Sequence, residues 1–191
     1  LHRCTKEQFS KLDRVVVGAE KLPRDLAEQF QEKFNVLPTE GYGATETTGP
    51  AAVNVPDHRC EVVEQRGTKL GSVGRPLPDV VARVVDPESR EPLKGEAQGL
   101  VEIKGPNVML GYLNRPEKTA AVIRDGWYNT GDMGFIDDEG FIHITGRLSR
   151  FSKIGGEMVP HIKIEECLLS VLETPDGEHD GPLLAVTAVP D

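Results

Sequence analysis

The stretch Gly41-Tyr42-Gly43-Ala44-Thr45-Glu46-Thr47-Thr48-Gly49 places an aromatic ring, glycine-flanked backbone NH groups, hydroxyls and a carboxylate close together. Each part suits a nucleotide. Tyr42 can stack on a base, Gly41 and Gly43 let the backbone approach phosphate oxygens, and Thr45 can donate to phosphate. Glu46 offers the hard oxygen that Mg²⁺ prefers. A second stretch, Tyr128-Asn129-Thr130-Gly131-Asp132, offers a carboxylate on a loop beside a strand, suited to accept two hydrogen bonds from a diol such as ribose. A third, Gly146 to Gly156, combines Arg147, Arg150 and Lys153 with glycines, a composition suited to a hinge that carries cations to or from a ligand. Taken singly, each stretch also reads as ordinary turn chemistry or as solvated surface charge.

The elements that must position these residues follow from their patterning. Val15-Val16-Val17 reads as a strand ending at Gly18. Pro23 opens a helix whose apolar face carries Leu26, Phe30 and Phe34. Asn35 to Thr39 reads as a second strand running into Gly41, which makes the first 69 residues the end of an α/β layer. From residue 70 to 146, Gly and Pro punctuate short β-rich runs, Val80 to Val85 and Leu100 to Ile103 among them, and predict a β subdomain. A helix over Arg115 to Ile123, capped by Asn114, is inserted in it, and a hairpin turns at Asp137-Asp138-Glu139-Gly140. Trp127 is expected to pack under the Asp132 loop. Residues 147–191 read as the start of a small α+β unit. Its helix carries Ile164, Leu168, Val171 and Leu172 on one face, and a last strand follows over Leu183 to Val189.

The 191 residues suffice for one ordinary domain or two small ones. With 38% hydrophobic and 28% charged residues the composition is that of a soluble, loop-rich globular protein. No apolar run approaches the roughly 20 residues that a membrane-spanning helix needs. A net charge of −9 disfavours a general nucleic-acid surface. Cys4, Cys60 and Cys167 are too few and scattered for a disulfide framework, which points to a reducing, cytoplasmic compartment. The five histidines show no metal-ligand spacing.

In their order along the chain these pieces resemble the AMP-binding, adenylate-forming (acyl-activating) ligase superfamily. The motifs are Gly18-Ala19-Glu20-Lys21-Leu22, Tyr42-Gly43-Ala44-Thr45-Glu46, Tyr128-Asn129-Thr130-Gly131-Asp132, and Gly146-Arg147 with Lys153 and Gly156 downstream. Lys104-Gly105-Pro106-Asn107-Val108-Met109 and Phe151 to Val159 are most similar to bacterial acyl-[acyl-carrier-protein] synthetase / 2-acylglycerophosphoethanolamine acyltransferase proteins.

That resemblance implies a fragment of an ATP-dependent fatty-acid ligase. It would form acyl-AMP with Mg²⁺ and pass the acyl group to acyl carrier protein in phospholipid acyl recycling. Gly18, Ala19 and Glu20 would line the adenine pocket, with Gly41, Tyr42 and Gly43 against the base. Thr45 would serve phosphate and Glu46 the metal. Asp132 and Arg147 would hold the ribose, and Lys153 and Gly156 would belong to the loop used for thioester formation. Ser149 stands at the hinge position, where the family more often has Asp or Lys. The family's phosphate-gripping loop would lie upstream of Leu1 and its adenylation lysine beyond Asp191, so the chain alone is expected to be inactive. Membrane association, at the cytoplasmic face of the inner membrane, would come through parts outside this chain. Two other readings stand beside this one: a fatty-acid CoA ligase, and a non-catalytic AMP-binding module. For an acidic carrier protein, Arg147, Arg150, Lys153 and Lys163 form the dense cationic cluster near which docking is expected.

Overall fold

The computed structural model describes residues 4–60, 64–155, 157–169, 171, 184–187 and 189. Strand β1 (Val15–Val17) leads through a loop to helix α1 (Arg24–Phe34), and β2 (Pro38–Ala44) returns parallel to β1. Pro23 sits at the N-cap, and Asp25 in the first turn and Lys33 in the last complement the helix dipole. Asn35, at φ 59°, ends the helix by donating its N–H to the Gln31 carbonyl. Of the expected apolar face the helix buries Phe34 and half-buries Phe30, together with Ala27, while Leu26 is 43% exposed. Phe30 and Phe34 gather around Phe9.

Asn35 occupies the left-handed cap, so β2 begins at Pro38, three residues later than the pattern suggests. Gly41-Tyr42-Gly43 lies inside the strand rather than after it. A tight turn over Thr45–Thr47 then reverses the chain into β3 (Gly49–Val53), an antiparallel partner that the sequence reading did not include. The Thr47 hydroxyl closes this turn, accepting from the Ala44 N–H and donating to the Gly49 carbonyl. Among the described residues, strands β4 (His58–Arg59) and β5 (Glu64–Gln65) form a separate two-stranded sheet. Strand β6 (Arg75–Pro76) lies past residue 70 and completes the first sheet in the order β1-β2-β3-β6.

The second sheet is antiparallel, in the order β11-β10-β8-β7. It comprises β7 (Val81–Val85), β8 (Gly99–Lys104), β9 (Ile123–Arg124) beside β10 (Trp127–Ile136), and β11 (Ile142–Arg147). Helix α2 (Pro116–Val122) is inserted as expected, with Pro116 in its first turn. Its N-cap is Arg115, whereas Asn114 adopts a left-handed conformation beforehand. Ala51 of β3 packs with Val101 and Ile103 of β8, so one apolar cluster ties the two sheets together. Val85, Leu100 and Met133 form a second cluster, each burial being worth roughly 1.5–3 kcal/mol. Trp127 stacks under the Arg83 guanidinium, 4.0 Å from ring centroid to Cζ, and not under Asp132. It opens β10, well along the strand from that carboxylate.

The last unit is a hairpin of β12 (Phe151–Ile154) and β13 (Glu157–Pro160), followed by helix α3 (His161–Leu169). The helix ends before Val171, which lies in a turn and is 80% exposed, and Leu168 is 47% exposed. His161 is its buried residue, so the expected face of Ile164, Leu168 and Val171 is not a buried stripe. Leu172 and Leu183 lie outside the described residues, and those described between 184 and 189 form no strand. Among the described residues no helix is long and apolar enough to cross a membrane.

Candidate functional site

A cleft of about 410 Å³ opens where the two sheets meet the last unit. Its walls are the 19–21 loop after β1, the Gly41–Ala44 backbone with the Tyr42 side chain, Glu46, three residues of β10 and the end of β11. Tyr128, Thr130 and Asp132 alternate along β10 and are all buried. This two-residue period brings three polar side chains to one face of a strand. Asp132 therefore sits within a ten-residue strand, at a register shift between Asn129 and Met133, rather than on a loop.

The Tyr42 hydroxyl donates to Asp132 Oδ2 at 2.5 Å, and Arg147 forms an ion pair with Asp132, its Nε 2.9 Å from Oδ1. The pairing register of β10 and β11 sets Asp132 directly opposite Arg147, and Arg147 Nη1 also donates to the Thr130 carbonyl. A carboxylate offers about four acceptor positions, and these two contacts leave capacity for a pair of hydroxyls. Burial pushes the Asp132 carboxyl above its ordinary range, with the Tyr42 bond and the Arg147 charge acting in the opposite direction. Burial and the neighbouring Asp132 charge push the Tyr42 hydroxyl up, which keeps it a proton donor.

Glu40 positions the 18–22 loop. Its side chain is 6% exposed, and Oε1 accepts from the Leu22 N–H at 3.0 Å. Asn54 fixes the Glu40 backbone by donating Nδ2 to the Glu40 carbonyl and to the Ser72 carbonyl. Ala19 on this loop has φ 72°, a left-handed conformation disfavoured for a residue with a Cβ.

Glu46 Oε1 accepts from the Tyr112 hydroxyl at 2.7 Å. That bond leads in holding its carboxyl below the ordinary value, with help from Tyr128 and the Arg147 charge and against a desolvation that raises it. Glu46 is thus an ionised carboxylate on the cleft wall. The described residues contain no group of three His, Cys, Asp or Glu side chains able to hold a metal by themselves. One anionic oxygen ligand fits Mg²⁺ that takes its other ligands from phosphate and water.

Ala19, Glu20, Gly41, Tyr42, Gly43, Glu46, Asp132 and Arg147 all line this cleft. Gly18 and Thr45 line an adjoining hollow, which shares Ala19, Gly41, Gly43 and Ala44 with the cleft. Lys153 lies on β12, outside the cleft, with Nζ 2.5 Å from Glu88. Gly156 lies outside the described residues. Three of the four cations of the expected cluster are ion-paired: Arg147 with Asp132, Arg150 with Glu165 and Lys153 with Glu88. The sequence reading assigned no role to Glu40, Tyr112, Tyr128 or Thr130. The alternation Tyr128-x-Thr130-x-Asp132 was the available signal for two of them; Tyr112 carried none.

The AMP-binding enzyme family model matches residues 2–113, more than half of the chain. The chain belongs to this family. A 4-coumarate–CoA ligase-like protein of Oryza sativa subsp. japonica is 36% identical to this chain over 174 residues, covering 90% of this chain and 28% of the relative. A long-chain-fatty-acid–CoA ligase of Thermus thermophilus is 36% identical over 169 residues, covering 86% and 31%. The crystal structure of ATP-bound MatB from Rhodopseudomonas palustris superposes with a TM-score of 0.72 at 37% identity, covering 85% of this chain and 31% of that one. The chain thus spans under a third of the length of these relatives, and its α/β and β units are consistent with a fragment of the adenylate-forming ligase fold.

Proposed function

We propose that this chain is the adenosine- and metal-holding portion of an ATP-dependent, acyl-adenylate-forming ligase acting on a fatty acid. The observation that carries the reading is the series Tyr42–Asp132–Arg147, a hydrogen bond followed by an ion pair, on the wall of one cleft that also holds Glu46.

In this reading the ring of Tyr42 and the Gly18 to Glu20 loop hold adenine, while Gly41 and Gly43 let β2 approach the nucleotide. Asp132 accepts from the two ribose hydroxyls, and Arg147 keeps its carboxylate aimed and ionised. Thr45 donates to phosphate. Glu46 holds Mg²⁺, whose chemistry is to offset phosphate charge. A carboxylate oxygen of the fatty acid attacks the α-phosphorus; the bond to the β-phosphate bridging oxygen breaks, and pyrophosphate leaves. A thiolate then attacks the acyl carbonyl and displaces AMP. Lys153 and Gly156 are assigned to this second step by the resemblance of their segment alone. Turnover is assigned to the intact protein, and the 191 residues alone are expected to bind nucleotide without catalysing exchange.

Two acceptors are distinguished by specific observations. The names of the relatives, CoA ligases, favour CoA. The Lys104 to Met109 and Phe151 to Val159 motifs favour acyl carrier protein and a place in phospholipid acyl recycling. Fatty-acid-dependent exchange of pyrophosphate into ATP by the intact protein tests the first half-reaction; its absence, with AMP still bound, would leave a non-catalytic AMP-binding module. Product formation with CoA against acyl carrier protein assigns the acceptor.

A further inference from the structure

We infer that Tyr112 is a positioning residue for the Glu46 carboxylate, held in place by Thr119 of the inserted helix α2. The inference rests on the metal-holding role proposed for Glu46 and adds to it a second residue and a structural purpose for the insertion.

Glu46 stands on a single short turn, Thr45–Thr47, and its side chain has three rotatable bonds whose ordering costs conformational entropy. A carboxylate so placed needs outside support to point one way. Three hydrogen bonds from the 107–112 segment supply it. The Met109 N–H donates to the Glu46 carbonyl at 2.8 Å, the Thr48 hydroxyl donates to the Asn107 carbonyl at 2.9 Å, and the Tyr112 hydroxyl donates to Glu46 Oε1. Two of these fix the turn, and the third fixes the charged group itself.

Val108 anchors the start of the segment on the Ala51, Val101 and Ile103 cluster, but Leu110 and Leu113, which flank Tyr112, are fully or almost fully exposed, so apolar packing does not fix the Tyr112 end. Polar contacts to α2 do this instead. The Tyr112 N–H donates to Thr119 Oγ1 at 2.9 Å, and the Thr119 hydroxyl donates back to the Arg115 carbonyl. Gly111 lets the chain pass so close that an added Cβ would lie 2.8 Å from the Thr119 side chain. The order is therefore α2, then Thr119, then Tyr112, then Glu46. Groups that support a metal-ligating side chain in this way typically change metal affinity 10–100-fold when removed.

The test uses Mn²⁺ as a probe, its binding to the intact protein–ATP complex read from the EPR signal of free Mn²⁺. Tyr112→Phe keeps the ring and removes the donor. It should raise the Mn²⁺ concentration at half-saturation about tenfold, with metal-free AMP affinity unchanged. Thr119→Val should move the same value in the same direction, and it carries the test should the Tyr112 variant fail to fold. If Glu46→Gln weakens Mn²⁺ binding while Tyr112→Phe and Thr119→Val leave it unmoved, the positioning role is overturned and the reading of Glu46 stands. If Glu46→Gln also leaves it unmoved, the metal role of Glu46 falls and the inference with it.

Discussion

The Tyr42 hydroxyl and the Asp132 carboxylate, 90 residues apart in the chain, meet in a 2.5 Å hydrogen bond on the wall of one cleft. One residue belongs to the first sheet and the other to the second, so the bond is a direct report of how the two sheets dock. Asp132→Asn keeps the shape but loses the charge that Arg147 and two hydroxyls would share. AMP affinity measured by calorimetry should fall about 10- to 100-fold, the effect of about 1.5–3 kcal/mol for hydrogen bonds to a charged group. Tyr42→Phe should cost less than Asp132→Asn, since the ring remains.

Acidification should weaken AMP binding earlier than an ordinary aspartate would allow. Burial raises the Asp132 carboxyl, so protonation of the folded protein begins above the usual range and removes acceptor capacity for the ribose. The sign for stability is opposite. With the folded value above the unfolded one, ionised Asp132 costs stability at neutral pH, and that cost fades as pH falls through the folded value. Calorimetric AMP titrations carried from neutral pH down into the ordinary aspartate range should show the loss in the native protein, and a smaller one in Asp132→Asn. An equal pH dependence in both would remove Asp132 from the account.

Asp137 should prove a stability hub. It accepts from Lys69 Nζ at 2.6 Å, from His143 Nε2 at 2.9 Å and from the N–H groups of Glu139 and Phe141. Burial raises its carboxyl, but the bonds from Lys69, His143 and Phe141 outweigh this and hold it well below the ordinary range. The resulting stabilisation is present above the unfolded value and is lost as pH falls through the lower folded one. Asp137→Ala should destabilise by about 3 kcal/mol at neutral pH, since it leaves Lys69 short of a buried partner. Urea unfolding at neutral and acid pH measures both statements.

Gly43 is required by close approach. An added Cβ would lie 2.1 Å from the Gly49 carbonyl oxygen, in backbone that cannot yield without opening the β2–β3 pair. Gly43→Ala should cost 3 kcal/mol or more, roughly the scale of a severe steric change, and should reduce AMP binding with it. Gly95→Ala is the comparison: φ is +64° with nothing within 4 Å, so the cost should be about 1 kcal/mol. Thermal unfolding of the two variants side by side checks the difference.

Much of the fold was legible because local chemistry set it. Pro23, Val15-Val16-Val17, Pro116 and the Asp137–Gly140 turn each fixed an element near its observed place. The misses have nonlocal causes. β3 follows Thr47, whose hydroxyl makes a turn that composition does not reveal. At the start of α1 the helix buries the small Ala27 and leaves Leu26 of the expected face exposed. For the cleft, Tyr42, Glu46 and Asp132 stood out as residue types, and their convergence comes from sheet docking. Tyr112 reaches Glu46 from 66 residues away through a helix-anchored loop, a relation with no local trace.

The most direct test is a crystal structure of the protein soaked with AMP. The account expects adenine against the Tyr42 ring and the two ribose hydroxyls within hydrogen-bond distance of the Asp132 carboxylate. Nucleotide density elsewhere, with both side chains untouched, would contradict it.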